Sequence, residues 1–321
     1  MSCNNQQKSS FEHDLVTKAT PWTSEPSSNP SDQFMFAIIS DLNGEERPGI
    51  FEVAVEQINL LKPQFIMSVG DLIDGGTEDT TKLSAQFDFM DNRVRKTETP
   101  FFHVGGNHDL TNMVMRKYWE KRYGKRYYHF IYQNVLFLVL DTEDYTENRF
   151  QEIYVARARA IELLDSGKQE LAEQSEYFKM PERKVGEIGS EQADYFANVI
   201  KNNPTVRWTF LFMHKPVWQS EGDTNFKRIE AAFGSRNYTL FNGHLHAYSH
   251  TQRNDRDYIM LGTTGGAQSN QNENAFDHIT LVTVNESPSI ANLRLDGILD
   301  KTGNIPLHGD TLCFQASKCK E

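Results

Sequence analysis

The 321-residue chain carries 33 lysines and arginines against 44 aspartates and glutamates, a formal net charge of −11, with ten histidines and three cysteines. Its 38% hydrophobic and 24% charged residues are those of a folded globular protein, long enough to bury a core without disulfides or a structural metal. No apolar run reaches the roughly 18 residues of a membrane-spanning helix, and the acidic balance argues against a non-specific nucleic-acid binder, which needs a basic surface.

Residues 1–33 hold only seven apolar residues among many Ser, Asn and Gln, with prolines at 21, 26 and 30. Such a stretch offers little surface to bury against its ordering entropy, so it is expected to be a tail or linker. Cys3 follows Ser2 and precedes a polar run, as in a bacterial lipoprotein whose signal peptide has been removed. On that expectation a lipid on Cys3 is the one link to a membrane and the location is periplasmic or extracellular; an ordinary N-terminus leaves cytoplasmic as the alternative. The folded domain is expected over residues 34–300. It opens on the apolar run Phe34–Ile39, followed by helical spacing through Phe51, Val55, Ile58 and Leu61. Strand-like runs recur at 65–69, 101–104, 135–140, 208–213 and 238–241, with a helical stretch near Leu83–Val94. Strands alternating with helices indicate a layered α/β architecture. Residues 143–187 interrupt the rhythm with eleven acidic and seven basic residues on a helical pattern. They read as a solvated helical insertion, with a cap over the active site as the other reading. Beyond Tyr248, short alternating runs at 258–261, 278–284 and 290–295 suggest antiparallel strands, and residues 301–321 a C-terminal tail. There Cys313 and Cys319 are near enough in sequence to pair in an oxidising compartment, or to remain two free thiols.

Five short motifs stand where the expected strands end: Asp41-Leu42-Asn43, Gly70-Asp71-Leu72-Ile73-Asp74, Gly106-Asn107-His108-Asp109, His214, and Gly243-His244-Leu245-His246. Side chains at the carboxyl ends of strands open into one crevice of an α/β sheet. The set offers carboxylate, amide and imidazole donors without a thiolate, which suits Mn²⁺, Fe, Zn²⁺ or Mg²⁺. Each motif alone is weak, since a strand-end Asp is often a helix cap. Five in order, each after an apolar run, are hard to attribute to chance.

In these motifs the chain resembles the calcineurin-like metallophosphoesterases, whose pattern is Asp-x-His, Gly-Asp-x-x-Asp, Gly-Asn-His-Asp/Glu, a strand-end His and Gly-His-x-His. The resemblance covers about residues 34–296. It implies an α/β (α+β) fold, a four-layer sandwich of two mixed β-sheets flanked by helices, with a dinuclear metal site at the strand ends. It would place one metal on Asp41, Asp71 and His246 and the second on Asp71, Asn107, His214 and His244, with Asp71 bridging. His108 would donate a proton to the leaving group, Asp109 would orient its imidazole, and Asp74 would hydrogen-bond a ligand. The departure is Asn43, where the family has His. An amide oxygen there favours oxygen-preferring ions, Mn²⁺ above all, if Asn43 ligates. The implied activity is hydrolysis of phosphomonoesters or phosphodiesters by a hydroxide generated between two divalent metals, on a small phosphoester and not a nucleic acid. A nuclease of the same fold and a non-catalytic metal-binding scaffold are the rival readings.

Softer candidates are Thr263-Thr264-Gly265-Gly266, which could bring backbone to the substrate, and Arg47 and Lys215, which could meet a phosphate. Trp218, Phe226 and Tyr248 could line a substrate pocket but are expected in the core, and His250, His278 and His308 are expected as structural or surface residues.

Overall fold

The computed structural model describes residues 11–28 and 31–319. Five strands form one sheet in the order β12-β11-β2-β3-β4. Its parallel centre is β2 (Phe34–Ile39), β3 (Phe65–Ser68) and β4 (Phe101–Phe102), with β11 (His278–Val284) and β12 (Pro288–Arg294) added antiparallel. The second sheet has seven strands in the order β1-β5-β6-β7-β8-β10-β9. Here β6 (Val135–Val139), β7 (Trp208–Phe212), β8 (Tyr238–Asn242) and β10 (Arg256–Met260) run parallel. Antiparallel β5 (Tyr128–Tyr132), β1 (Phe11–His13) and β9 (Ser249–Arg253) complete it. The run at 258–261 therefore pairs parallel with β8, and antiparallel only with β9 on its other side.

Both faces of the central strands are covered, which is why they read as continuous apolar runs. Along β2, Phe34, Phe36 and Ile38 point between the sheets, while Ala37 and Ile39 point toward helices. The inter-sheet layer is largely aromatic: Phe36 stacks on Phe65 with centroids 5.3 Å apart and meets Phe210 edge-on at 5.1 Å. Helices α1 (Ile50–Leu61), α2 (Thr80–Val94) and α3 (Met113–Tyr123) cover the outer face of the five-stranded sheet. Capping side chains start two of them: Asp79 accepts from the Thr81 and Lys82 amides, and Asn112 from that of Met115. Between β6 and β7 come α4 (Glu147–Asp165), α5 (Gln169–Glu173), α6 (Glu176–Lys179) and α7 (Ser190–Asn202). Helix α7 and α8 (Thr224–Phe233) cover the outer face of the seven-stranded sheet. The result is the four-layer sandwich that the resemblance implied.

Three expectations change. Within 1–33, residues 11–28 are not a tail. Strand β1 pairs with β5, and buried Trp22 meets Phe11 edge-on at 5.4 Å. His103 donates its amide to the Pro21 carbonyl at 2.7 Å and Thr23 donates to Phe101 at 3.0 Å, closing the edge beyond β4. Two aromatic residues at a seam between sheet edges suffice, although their run is polar on average. Cys3 lies outside the described residues. The segment after residue 300 is likewise packed: Ile305 and Phe314 join the core around α1, and Cys313 and Cys319 are joined as a disulfide. The charged insertion is helical, as its pattern indicates, but it is more than a solvated excursion. It has its own small core of Tyr145, Phe150, Ile153, Ala156 and Met180, and one wall of the cleft described below is built from it.

The N-terminal packing gives a direct expectation. Trp22→Ala should lower unfolding stability by about 3 kcal/mol, as large-to-small aromatic changes in cores do. A tail residue would change it by less than about 0.5 kcal/mol. Chemical denaturation distinguishes the two.

Candidate metal centre

The five motifs meet at one end of the sandwich. Loops after β2, β3 and β4 bring Asp41, Asn43, Asp71, Asn107 and His108 from one sheet; loops after β7 and β8 bring His214, His244 and His246 from the other. The backbone bends sharply to present them. Asp41 (φ 24°), Asp71 (φ 57°), His244 (φ 79°) and His246 (φ 51°) all sit in the left-handed region that non-glycine residues avoid. Such conformations cost about 1–3 kcal/mol each and persist only where the surroundings enforce them. The motif glycines have a steric reason. A Cβ on Gly106 would collide with the Asp71 carboxylate, and one on Gly243 with that of Asp41.

Two donor groups result, Asp71 with His214 and His244, and Asp41 with Asp71 and His246, each with all its ligating atoms within 4.8 Å of one another. They share Asp71. One of its oxygens accepts the His108 amide at 2.8 Å; the other accepts the Asn43 amide group at 2.8 Å and lies 3.1 Å from His214 Nε2. Asn107 Oδ1 is 3.2 Å from the same His214 nitrogen. Each imidazole gives one N–H to a backbone carbonyl: His214 Nδ1 to Val69 at 2.9 Å, His246 Nδ1 to Ala267 at 2.6 Å, and His244 Nε2 to Arg183 at 2.8 Å. That fixes each tautomer and leaves the other nitrogen as a lone-pair donor, the arrangement of metal-ligating histidines.

The donor set fits divalent cations. A neutral His214 Nε2 facing an Asp71 oxygen, or a neutral His246 Nε2 lying 3.3 Å from an Asp41 oxygen, sets lone pair against lone pair unless a proton or a metal intervenes. Burial disfavours imidazolium, but the Asp71 charge and hydrogen bond lift His214 to about 9. Asp71 itself, despite burial, is held well below the usual carboxylate range by His214 and His108. His244 is driven neutral by burial and by the positive charges of His214 and Lys215. Asn43 is oriented by its donation to Asp71, which leaves its buried Oδ1 without a hydrogen-bond partner and free to meet a cation.

Two expected contacts differ. Asp109 does not touch the His108 ring. Its carboxylate accepts four backbone amides, those of Asp71 at 2.8 Å, Leu72 at 2.9 Å, Ile73 at 3.2 Å and Gly106 at 2.9 Å, tying the β3 loop to the β4 loop. The His108 ring is held instead by the Asp74 carbonyl, 2.7 Å from Nδ1. The Asp74 carboxylate accepts the Gly44 amide at 3.2 Å and so binds loop to loop, with no bond to a candidate ligand side chain. Neither arrangement has a sequence signal, because neighbours on a tight turn diverge and a carbonyl acceptor is independent of residue type.

Among the softer candidates, Thr264 and Gly266 donate amides to the Ser40 and Asp41 carbonyls at 2.9 and 3.1 Å, bracing the Asp41 loop and not a substrate. Arg47 is bound to Asp277 at 2.7 Å. Buried Lys215 pairs with Glu143 at 2.8 Å and donates to the Glu182 carbonyl at 2.9 Å. Trp218 and Phe226 are core residues, and Tyr248 packs on Phe276. His278 is buried, accepting the Gly262 amide, and His250 pairs with Asp257 at the surface. Sequence reasoning missed Arg157 and Arg183 of the insertion, which line the cleft in front of the centre together with Tyr177 and Phe178.

The role of Asp109 is testable. Asp109→Ala strands four amides whose bonds are all buried, and should cost about 3 kcal/mol or more of stability. Asp109→Asn, which keeps an acceptor oxygen, should cost less. If Asp109 served the His108 ring alone, thermal unfolding of both variants would match the parent.

Comparison with known proteins agrees with this architecture. No curated protein matches the chain. Among solved structures, a dimetal phosphatase from Danio rerio aligns with a TM-score of 0.56 at 13% identity, over 81% of this chain and 96% of that one. PhoD aligns at 0.53 and 12% identity, over 84% and 70%. Purple acid phosphatase PPD1 from seeds of yellow lupin (Lupinus luteus) aligns at 0.53 and 13%, over 83% of this chain but 52% of that one. At such identities the likeness is one of fold. The family model for calcineurin-like phosphoesterases, however, matches residues 34–248, two thirds of the sequence. With the motifs and the sandwich in place, the chain belongs to the calcineurin-like phosphoesterase family and is a hydrolase of phosphoester bonds.

Proposed function

We propose that the protein hydrolyses phosphomonoesters or phosphodiesters at a dinuclear centre, with one metal on Asp41, Asn43, Asp71 and His246 and the other on Asp71, Asn107, His214 and His244. The observation that carries this is the pair of donor groups sharing one buried carboxylate. When bound, two divalent cations would supply a water of lowered pKa and offset the charge of the phosphoryl oxygens. Asp71 supplies the negative charge that lets two cations lie close together. The amide oxygens of Asn43 and Asn107 favour oxygen-preferring ions, which supports Mn²⁺ among the candidates.

His108 lies beside the centre without belonging to either donor group. Its Nδ1 is committed to the Asp74 carbonyl, which leaves Nε2 to hold a proton for the departing oxygen. Burial lowers the pKa of this imidazole, partly offset by Asp71, so the charged form needs an anion beside it. A bound phosphoester supplies that anion. No Ser or Cys nucleophile is needed, and water is the attacking group.

Metal-reconstituted protein should turn over p-nitrophenyl phosphate or its bis ester, and Asp71→Asn should cost about 10³-fold or more in kcat. Absence of hydrolysis by protein loaded with each of Mn²⁺, Fe²⁺, Zn²⁺ and Mg²⁺ would sink the enzymatic reading. Leaving-group dependence tests His108 separately. His108→Asn should lower kcat about 10²–10⁴-fold on an alkyl phosphate, whose alkoxide needs a proton, and far less on p-nitrophenyl phosphate. Equal losses on both would assign His108 to ground-state binding instead.

We further propose an exported protein. Disulfides persist in oxidising compartments, and Cys313–Cys319 supports such a location. Thiol labelling of protein taken directly from cells should leave both cysteines unmodified until reductant is added.

A further inference from the structure

The cleft in front of the centre has a volume of about 570 Å³, within the range of sites that hold an organic ligand. One side is the candidate metal centre with His108. The other comes from the insertion, where Ile161, Leu164 and Phe178 give an apolar surface among three cations, Arg157, Arg183 and Lys184. The charges are sorted. The chain has a net charge of −11, yet among the described residues the one carboxylate lining the cleft is Asp71. None of the insertion's acidic residues faces it.

The two arginines differ from others on the same segment. Arg149 pairs with Glu152 at 2.8 Å and with Glu182 at 2.6 Å. The guanidinium groups of Arg157 and Arg183 have no carboxylate partner among the described residues. Arg183 is nonetheless held in place, its guanidinium 4.3 Å from the centre of the Phe178 ring and its carbonyl bound to His244. Arg157 rises from α4, with Nη1 3.2 Å from where a Cβ on Gly76 would stand, beside the loop whose Asp74 carbonyl holds His108. Half-buried guanidiniums without counter-charges, that of Arg183 stacked on a ring and that of Arg157 open over a glycine, are available to bind a carboxylate or phosphate bidentately.

We propose that this wall selects phosphoesters whose organic part is aromatic or apolar and bears a second anionic group, gripped by Arg157 and Arg183. The inference rests on the phosphoesterase reading. The apolar surface takes the body of the leaving group, the metal centre takes the scissile phosphate, and the two guanidiniums take the remote anion.

The test uses metal-loaded protein and two substrates with equivalent leaving groups, 4-(2-carboxyethyl)phenyl phosphate and its neutral carboxamide. The acid should be preferred at least about tenfold in kcat/KM, the scale of a charge-assisted hydrogen bond. Arg157→Gln combined with Arg183→Gln should bring the ratio close to one, a readout independent of the fraction of folded protein. Calorimetry of the corresponding non-hydrolysable phosphonates on metal-loaded parent protein should show the same order of affinity. Equal kcat/KM for the two substrates, or equal phosphonate affinities, would overturn the selectivity and leave the phosphoesterase reading standing. A preference that survives in the double variant would overturn the assignment to these arginines. Equal kcat/KM in the parent with loss of all turnover in the double variant would place both guanidiniums on the scissile phosphate, also against the proposal. Failure of the parent on both substrates and on p-nitrophenyl phosphate would remove the phosphoesterase reading and this inference with it.

Discussion

A buried carboxylate shared by two sets of donors is the constraint around which this molecule is arranged. Burying an anion is costly unless opposite charge or hydrogen bonds compensate. Asp71 has both, from the His214 imidazole, the Asn43 amide and the His108 backbone. Its backbone is in turn fixed from behind, since its amide is one of four that Asp109 accepts. The left-handed conformation of Asp71 is therefore held from two sides, by the carboxylate in front and by Asp109 behind. The strain pays for a carboxylate that reaches two clusters at once, and the absence of a Cβ on Gly106 makes room for it.

The sandwich supplies the remaining precision. The donors come from two different sheets, so their separation is set by the layer between those sheets. That layer is filled by stacked and edge-on rings, among them Phe36, Phe65, Phe137 and Phe210, each in close contact with its neighbours. Close-packed interiors transmit small displacements poorly tolerated by a metal site. The insertion then reaches back over the centre: buried Lys215 next to His214 grips the Glu182 carbonyl, and the adjoining Arg183 carbonyl fixes the His244 tautomer. The segment that shapes the cleft thus also orients the imidazole of a proposed ligand, through one short stretch of chain.

The centre was legible in the sequence to the extent that chemistry restricts residue type. Asp, Asn and His at strand ends are few in kind, and the glycines beside them answer to steric needs that admit no other residue. The central strands were legible because burial on both faces makes them apolar throughout, as at Phe34–Ile39 and Val135–Val139. What lay hidden has physical reasons. The carbonyls of Val69, Asp74, Arg183 and Ala267 orient four imidazoles, and a carbonyl leaves no trace in residue identity. Asp109 was adjacent to His108 in sequence, but the turn sends its side chain back into the loop amides. The N-terminal strand and the segment after residue 300 depend on Phe11, Trp22, Ile305 and Phe314, too few apolar residues to form a periodic pattern. The cationic face of the insertion was masked because its acidic residues, which face elsewhere, dominate the composition.

The bridging of two metals by Asp71 is tested most directly by electron paramagnetic resonance of the protein titrated with Mn²⁺. About two equivalents should bind, with the exchange-coupled spectrum of a carboxylate-bridged pair replacing the six-line signal of isolated ions. Saturation at about one equivalent, or two equivalents that remain magnetically independent, would contradict a shared carboxylate at the centre.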